Sequence, residues 1–212
     1  CELKNRIVRS ATNGHLSDEK GQVTPLWADT LIELAKNEVG LVITGHFCVD
    51  KMQRADAGQP VLDETTDESL LRRACDGVHR YGGKLFFQLS HSGIKGVESV
   101  NGAPPKHPED FTREELDRLV EQFAFAAKKC KESGADGVQV SGIDFNRRAG
   151  QKTPFYLDAL ICEPDFAAKL KSGAQDGSKC LACNGCYTIY RKRFVRCVQH
   201  QDEIEQFKTI PW

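Results

Sequence analysis

Three apolar runs recur about 45 residues apart: Val39–Gly45 (VGLVITG), Lys84–Ser90 (KLFFQLS) and Gly137–Ser141 (GVQVS). Each follows a segment with helical patterning. A run that is apolar on both faces suits a strand covered on both sides, and such strands are typically parallel. Parallel neighbours need a crossover, and the intervening segments are long enough to supply one as a helix. The pattern therefore predicts a parallel α/β architecture. The first helix is read over Pro25–Asn37, with Pro25 in its first turn and Leu26, Leu31 and Leu34 near one face. The second is read over Thr66–Arg80, opening with a cap residue and acids and stopped by Gly82 and Gly83. The third runs from Thr112 to Gly134. There Thr112 and Glu115 form a capping box, and Leu116, Leu119, Phe123 and Ala126 line one side. A weak strand over 4–10 and a short helix over 164–171 complete the reading.

Composition removes several classes of function. Lysine and arginine number 29 against 30 acidic residues, a formal net charge of -1, so the basic surplus of a nucleic-acid binder is missing. Mean hydropathy is -0.46 and no apolar run approaches membrane-spanning length, so no membrane partner is expected. Nine cysteines are present, and their placement is uneven. Cys1, Cys48, Cys75, Cys130 and Cys162 are scattered, whereas Cys180, Cys183, Cys186 and Cys197 fall within 18 positions. An odd total with one tight group fits a metal site in a reducing compartment better than a disulfide framework, and makes cytoplasm the expected location.

That group reads CLACNGC followed by ten residues and Cys197. Two-residue gaps let successive thiolates turn toward one centre, and a fourth thiolate completes tetrahedral sulfur coordination. Three cysteines at successive CxxC intervals suit a 4Fe-4S cluster. Zinc is the alternative, although its ligands more often come as two separated pairs. A second constellation follows from topology. Ligands of parallel sheets sit at the carboxyl ends of the strands, which singles out Ser10 to Asn13, Thr44 and Gly45, Gln88, and Ser141 to Asp144. Gln88 is an amide in an otherwise apolar strand, suited either to a buried ligand or to backbone at a strand end. Gly45 suits either close approach of a flat ligand or a turn.

The segments LKNRIVRSATN (3–13), VGLVITG (39–45), KLFFQLSHSG (84–93) and ESGADGVQV (132–140), in this order, resemble the Old Yellow Enzyme family. The stretch LICEPDFAAKLKSG (160–173) and the cysteines after it resemble the barrel end and iron–sulfur segment of the branch that contains 2,4-dienoyl-CoA reductase and trimethylamine dehydrogenase. The resemblance implies a TIM (β/α)8 barrel over residues 1–173 with FMN at its carboxyl end, followed by a Cys-rich segment over 174–212. Some 18 residues separate Ser141 from Leu160, where the family has several strand–helix units, so the barrel is expected to lack its middle units after about residue 142. Carried over residue by residue, Ser10, Ala11 and Thr12 match the loop along the flavin. Gly45 matches the small residue near its ring, and Gln88 the amide on its pyrimidine edge. Ser141 and Asp144 align with the pair that holds a substrate carbonyl. Cys180, Cys183, Cys186 and Cys197 match the cluster ligands.

The activity so implied moves hydride from NAD(P)H through FMN to an unsaturated carbonyl or similar small molecule. With 15 residues after Cys197, an external electron donor is expected for the cluster. A homo-oligomer stays open. The alternative is a non-catalytic barrel remnant with a zinc or iron–sulfur knot, acting as an interaction module.

Overall fold

The computed structural model describes residues 1–106, 110–142 and 165–175. Its centre is a parallel sheet. Strand β1 (Val8–Arg9) pairs with β2 (Leu41–Ile43), which pairs with β4 (Lys84–His91). The short β3 (Phe47–Cys48) also pairs with β4, and β5 (Gly137–Gly142) lies on the other side of β4. All these pairings are parallel, as the apolar runs predict.

β2 and β3 are two halves of one strand position. Ile43 pairs with Phe86 and Phe47 with Leu89, so four steps on one strand match three on the other. One extra residue within Thr44–Gly45–His46 makes a bulge, a device that re-aims side chains next to sites. Thr44 bridges the gap: its N–H donates to the Phe86 carbonyl at 2.9 Å, and its hydroxyl accepts from the Gln88 N–H at 3.1 Å. The bulge explains why the expected Val39–Gly45 strand is shorter than its apolar run.

Helix α1 (Pro25–Lys36) follows β1, α2 (Glu68–Arg80) follows β3, and α4 (Arg113–Glu132) follows β4 and the one-turn α3 (Glu98–Asn101). Thr112 and Glu115 make both capping-box bonds predicted for α4. In α2 the cap is Asp67, whose carboxylate accepts the Ser69 N–H at 2.9 Å. Thr66, the expected opening residue, instead accepts the Asp63 N–H at 3.0 Å. A further helix, α5 (Phe166–Ser172), sends the Lys171 ammonium to the Glu38 carboxylate, 2.8 Å away, at the turn between α1 and β2.

The core lies between sheet and helices. Along β4, Leu85, Phe87 and Leu89 are fully buried, while Lys84, Phe86 and Gln88 on the opposite face are half-buried. Trp27 of α1, Phe47 and Phe87 cluster with centroid separations of 5.7, 6.1 and 5.4 Å, near the tilted and edge-on arrangements that aromatic rings favour. At the amino ends of the strands, Asp136 joins three elements. Its carboxylate accepts from His79 at 2.7 Å and from the Leu85 N–H at 2.9 Å, and pairs with Lys84 at 2.8 Å. The core thus fixes the sheet from behind and leaves its other face, with Gln88, toward the carboxyl-end loops.

Candidate functional site

Side chains alternate along a strand, so Phe86, Gln88 and Ser90 of β4 share one face. β5 runs beside β4 in register, with Gln88 opposite Gln139 and Ser90 opposite Ser141. The Gln88 amide N–H donates to the Gln139 side-chain carbonyl at 2.7 Å. The two amides form an exposed pair, leaving the Gln88 carbonyl and the Gln139 N–H groups for a ligand edge that offers a donor beside an acceptor. Gln139 was not singled out from the sequence. Its signal was a second polar residue inside an apolar strand at the register of Gln88.

Gly45 sits on the bulge at the end of β2. A Cβ there would lie 2.6 Å from the Thr12 carbonyl oxygen and 3.0 Å from the Asn13 Cα. Its small size is used by the chain itself, because the loop after β1 crosses directly over it. Of the two sequence readings, the structure supports a backbone crossing, and this crossing brings Thr12 and Asn13 against Gly45, with Ser10 and Ala11 just before them in the same loop. Ser10, Ala11 and Thr12 are half-buried. The Thr12 hydroxyl turns back to donate to the Ser10 carbonyl at 3.2 Å. Thr12 and Gly45 also line a cleft of about 60 Å³ that runs toward Trp27, Leu31 and Leu34 of α1 and does not include Gln88.

Above these residues lies a buried polar network. Gln59 is fully buried, and its side-chain carbonyl accepts the Ala55 N–H at 2.6 Å. Its amide nitrogen lies 2.9 Å from His46 Nδ1 and donates to Ser90 Oγ at 3.2 Å. Ser90 Oγ is itself 3.1 Å from His46 Nδ1. Burial depresses the His46 pKa below the ordinary histidine value; Asp56 opposes that shift and His15 adds to it. Beside them Asp56 takes His15 Nδ1 at 3.0 Å and the Asn13 amide at 2.8 Å. Burial alone would raise the Asp56 carboxyl, but the hydrogen bond and charge of His15 outweigh it and hold the pKa low. None of His46, Gln59 and Asp56 was expected. Gln59 and Asp56 lie in a loop with no periodic signal, and His46 gains its place only through the bulge.

Ser141 closes β5 on the Gln88 face and is half-buried. Asp144 lies outside the described residues, as do Cys180, Cys183, Cys186 and Cys197. Of the described cysteines Cys1 is exposed, while Cys48, Cys75 and Cys130 are buried, and burial pushes each of these three thiols up to about 12. Such buried thiols are inert packing groups.

The model of the NADH:flavin oxidoreductase / NADH oxidase family matches residues 1–144. An NADH oxidase of Thermoanaerobacter brockii is 28% identical over 154 residues, covering 66% of this chain and 24% of that protein. A metal reductase of Desulforamulus reducens is 33% identical over 156 residues, covering 66% and 22%. The chain thus spans under a quarter of the length of these two relatives. The old yellow enzyme homologue from Zymomonas mobilis superimposes with a TM-score of 0.57 at 22% identity, covering 65% of this chain and 44% of that one. A 2-naphthoyl-CoA reductase gives 0.60 at 23%, covering 65% and 25%. At these identities the structural likeness speaks to the fold, a parallel sheet laid out as in part of these barrels.

Proposed function

Because the chain belongs to the NADH:flavin oxidoreductase / NADH oxidase family, the Old Yellow Enzyme family that its motifs resemble, we propose that it is the FMN-binding part of an oxidoreductase. The reaction carries hydride from NADH or NADPH to a small unsaturated carbonyl or similar acceptor. The observation that carries this reading is the grouping of Gln88, Gly45 and the Ser10–Thr12 loop at the carboxyl ends of parallel strands, where ligands of such sheets bind. The exposed Gln88–Gln139 amide pair fits a heteroaromatic edge that alternates donor and acceptor. When bound, FMN supplies hydride acceptance and release.

The chain's own residues have narrower tasks. Gln88 orients the ring edge, while Ser10, Ala11 and Thr12 form the wall beside it. Gly45 keeps that wall close to the sheet. Ser141, and with it Asp144, are assigned to the substrate side. Residues 1–173 are assigned to the barrel domain and 174–212 to a Cys-rich segment. There Cys180, Cys183, Cys186 and Cys197 would hold a 4Fe-4S cluster, which would supply one-electron transfer from an external donor.

The test is a titration of the chain with FMN, followed by the change in flavin fluorescence and by visible absorbance. One FMN per chain is expected, with affinity about 3- to 10-fold weaker in Gln88→Leu, the size of one lost hydrogen bond. A chain that takes up no FMN overturns the reading.

A further inference from the structure

The histidine beside Gly45 has a protonation pattern that its neighbours impose. The Gln59 side-chain carbonyl is engaged by the Ala55 N–H at 2.6 Å, so the amide end that faces His46 is the NH2 group. That group donates, which obliges His46 Nδ1 to accept. A neutral imidazole whose Nδ1 accepts carries its proton on Nε2. Ser90 Oγ, 3.1 Å from the same Nδ1, is on the Gln88 face of β4, so the ring is anchored on that face at the mouth of the sheet. Among the described residues Nε2 has no hydrogen-bond partner, and it is not one of the polar atoms sealed from solvent. His46 thus has one edge fixed by a fully buried amide and the other free to meet a ligand.

We propose that His46, locked as its Nε2–H tautomer by Gln59, donates a hydrogen bond to a ring-carbonyl oxygen of the flavin at the mouth of the sheet, near the Gln88 amide pair. This rests on the FMN reading above and extends it to a residue that the family motifs do not mark. The role suits a neutral donor. Burial disfavours the imidazolium, with Asp56 opposing and His15 reinforcing that effect, so the N–H is presented without a charge. A lysine or arginine at this position would need a counter-ion within the Gln59–Ser90 network. A phenylalanine would fill the space and leave the carbonyl oxygen without its partner.

Two measurements on the full chain decide the matter. The first is long-range 1H–15N spectroscopy of protein labelled at histidine nitrogen, with His46 assigned by its loss in His46→Gln. At pH 7 the His46 pattern is expected to be neutral with the proton on Nε2, and that proton signal should sharpen when FMN is added. A cationic ring, or a proton on Nδ1, overturns the proposal whether or not the chain binds flavin. The second is FMN affinity. His46→Phe is expected to bind about 3- to 10-fold more weakly, and His46→Gln, which keeps an N–H at the Nε2 position, to recover most of the loss. Equal affinity in wild type and His46→Phe overturns it while leaving the flavoprotein reading intact. A wild-type chain that takes up no FMN removes both, and the tautomer result then stands as a property of the free protein.

Discussion

Replacing Gly45 with alanine tests the crossing on which the whole mouth depends. The added methyl would sit 2.6 Å from the Thr12 carbonyl oxygen and 3.0 Å from the Asn13 Cα, where ordinary contact begins at 3.4 Å. The loop after β1 must therefore retreat by roughly 0.8 Å, and what blocks it is backbone rather than the end of a flexible side chain. Forced insertion of this kind costs about 1–3 kcal/mol. With a urea slope of about 1–3 kcal/mol/M, the midpoint should fall by about 1 M. The control is Gly14→Ala in the same loop, whose methyl meets only the Leu16 side chain at 3.2 Å, a contact that a small rotation relieves. Urea unfolding of both variants, each also titrated with FMN, gives the answer. Gly45→Ala should lose stability and FMN affinity together, because the retreating loop carries Ser10, Ala11 and Thr12, whereas Gly14→Ala should change little. Equal midpoints for the two variants would refute the claim that the crossing consumes the space at Gly45.

Two further outcomes follow from the scaffold. Asp136→Asn removes the charge that His79, Lys84 and the Leu85 N–H converge on, and should cost about 2–4 kcal/mol at pH 7, read from urea midpoints. Burial alone would raise the Asp136 carboxyl, but the bonds from Lys84, Leu85 and His79 outweigh it, so its folded pKa lies below the unfolded value. Its contribution is then fully present above the unfolded pKa of about 3.9 and disappears as pH falls through the folded one. The wild type should therefore lose its advantage over Asp136→Asn in strongly acidic urea titrations, and an advantage that persists there would refute the assignment. Phe87→Ala empties the centre of the Trp27–Phe47–Phe87 cluster and should cost about 3–5 kcal/mol, with near-ultraviolet dichroism losing the Trp27 signature.

What could be read from the sequence was whatever repeats. The apolar runs around Val42, Phe87 and Val138 announced strands, and their spacing announced parallel pairing. The Thr112–Glu115 box located the start of α4 to the residue, because both of its hydrogen bonds are local. Gln88 stood out as an amide among apolar neighbours. Features that rest on a break in the pattern stayed hidden. The bulge at Thr44–Gly45–His46 inserts one residue without any composition cue, and with it β3 and the placement of His46 went unseen. The same break hid the reason for Gly45: a close approach was legible, but not that the approaching group is the chain's own Thr12. Gln59 and Asp56 reach the network through a loop whose path is set by tertiary contacts, and no local periodicity encodes such a path.

The Asp136 junction also dictates an order of events during biosynthesis. The Leu85 amide near the start of β4 is satisfied by a carboxylate 51 residues downstream, and His79 waits for the same group across 57. Closing such spans is slow compared with winding a helix. On a ribosome α1 and α2 have time to form and settle against β2 and β4 while the base of β4 is still open to water. The nascent sheet gains its third crossover only when Asp136 emerges, so the amino end of β4 is the last part of this layer to close.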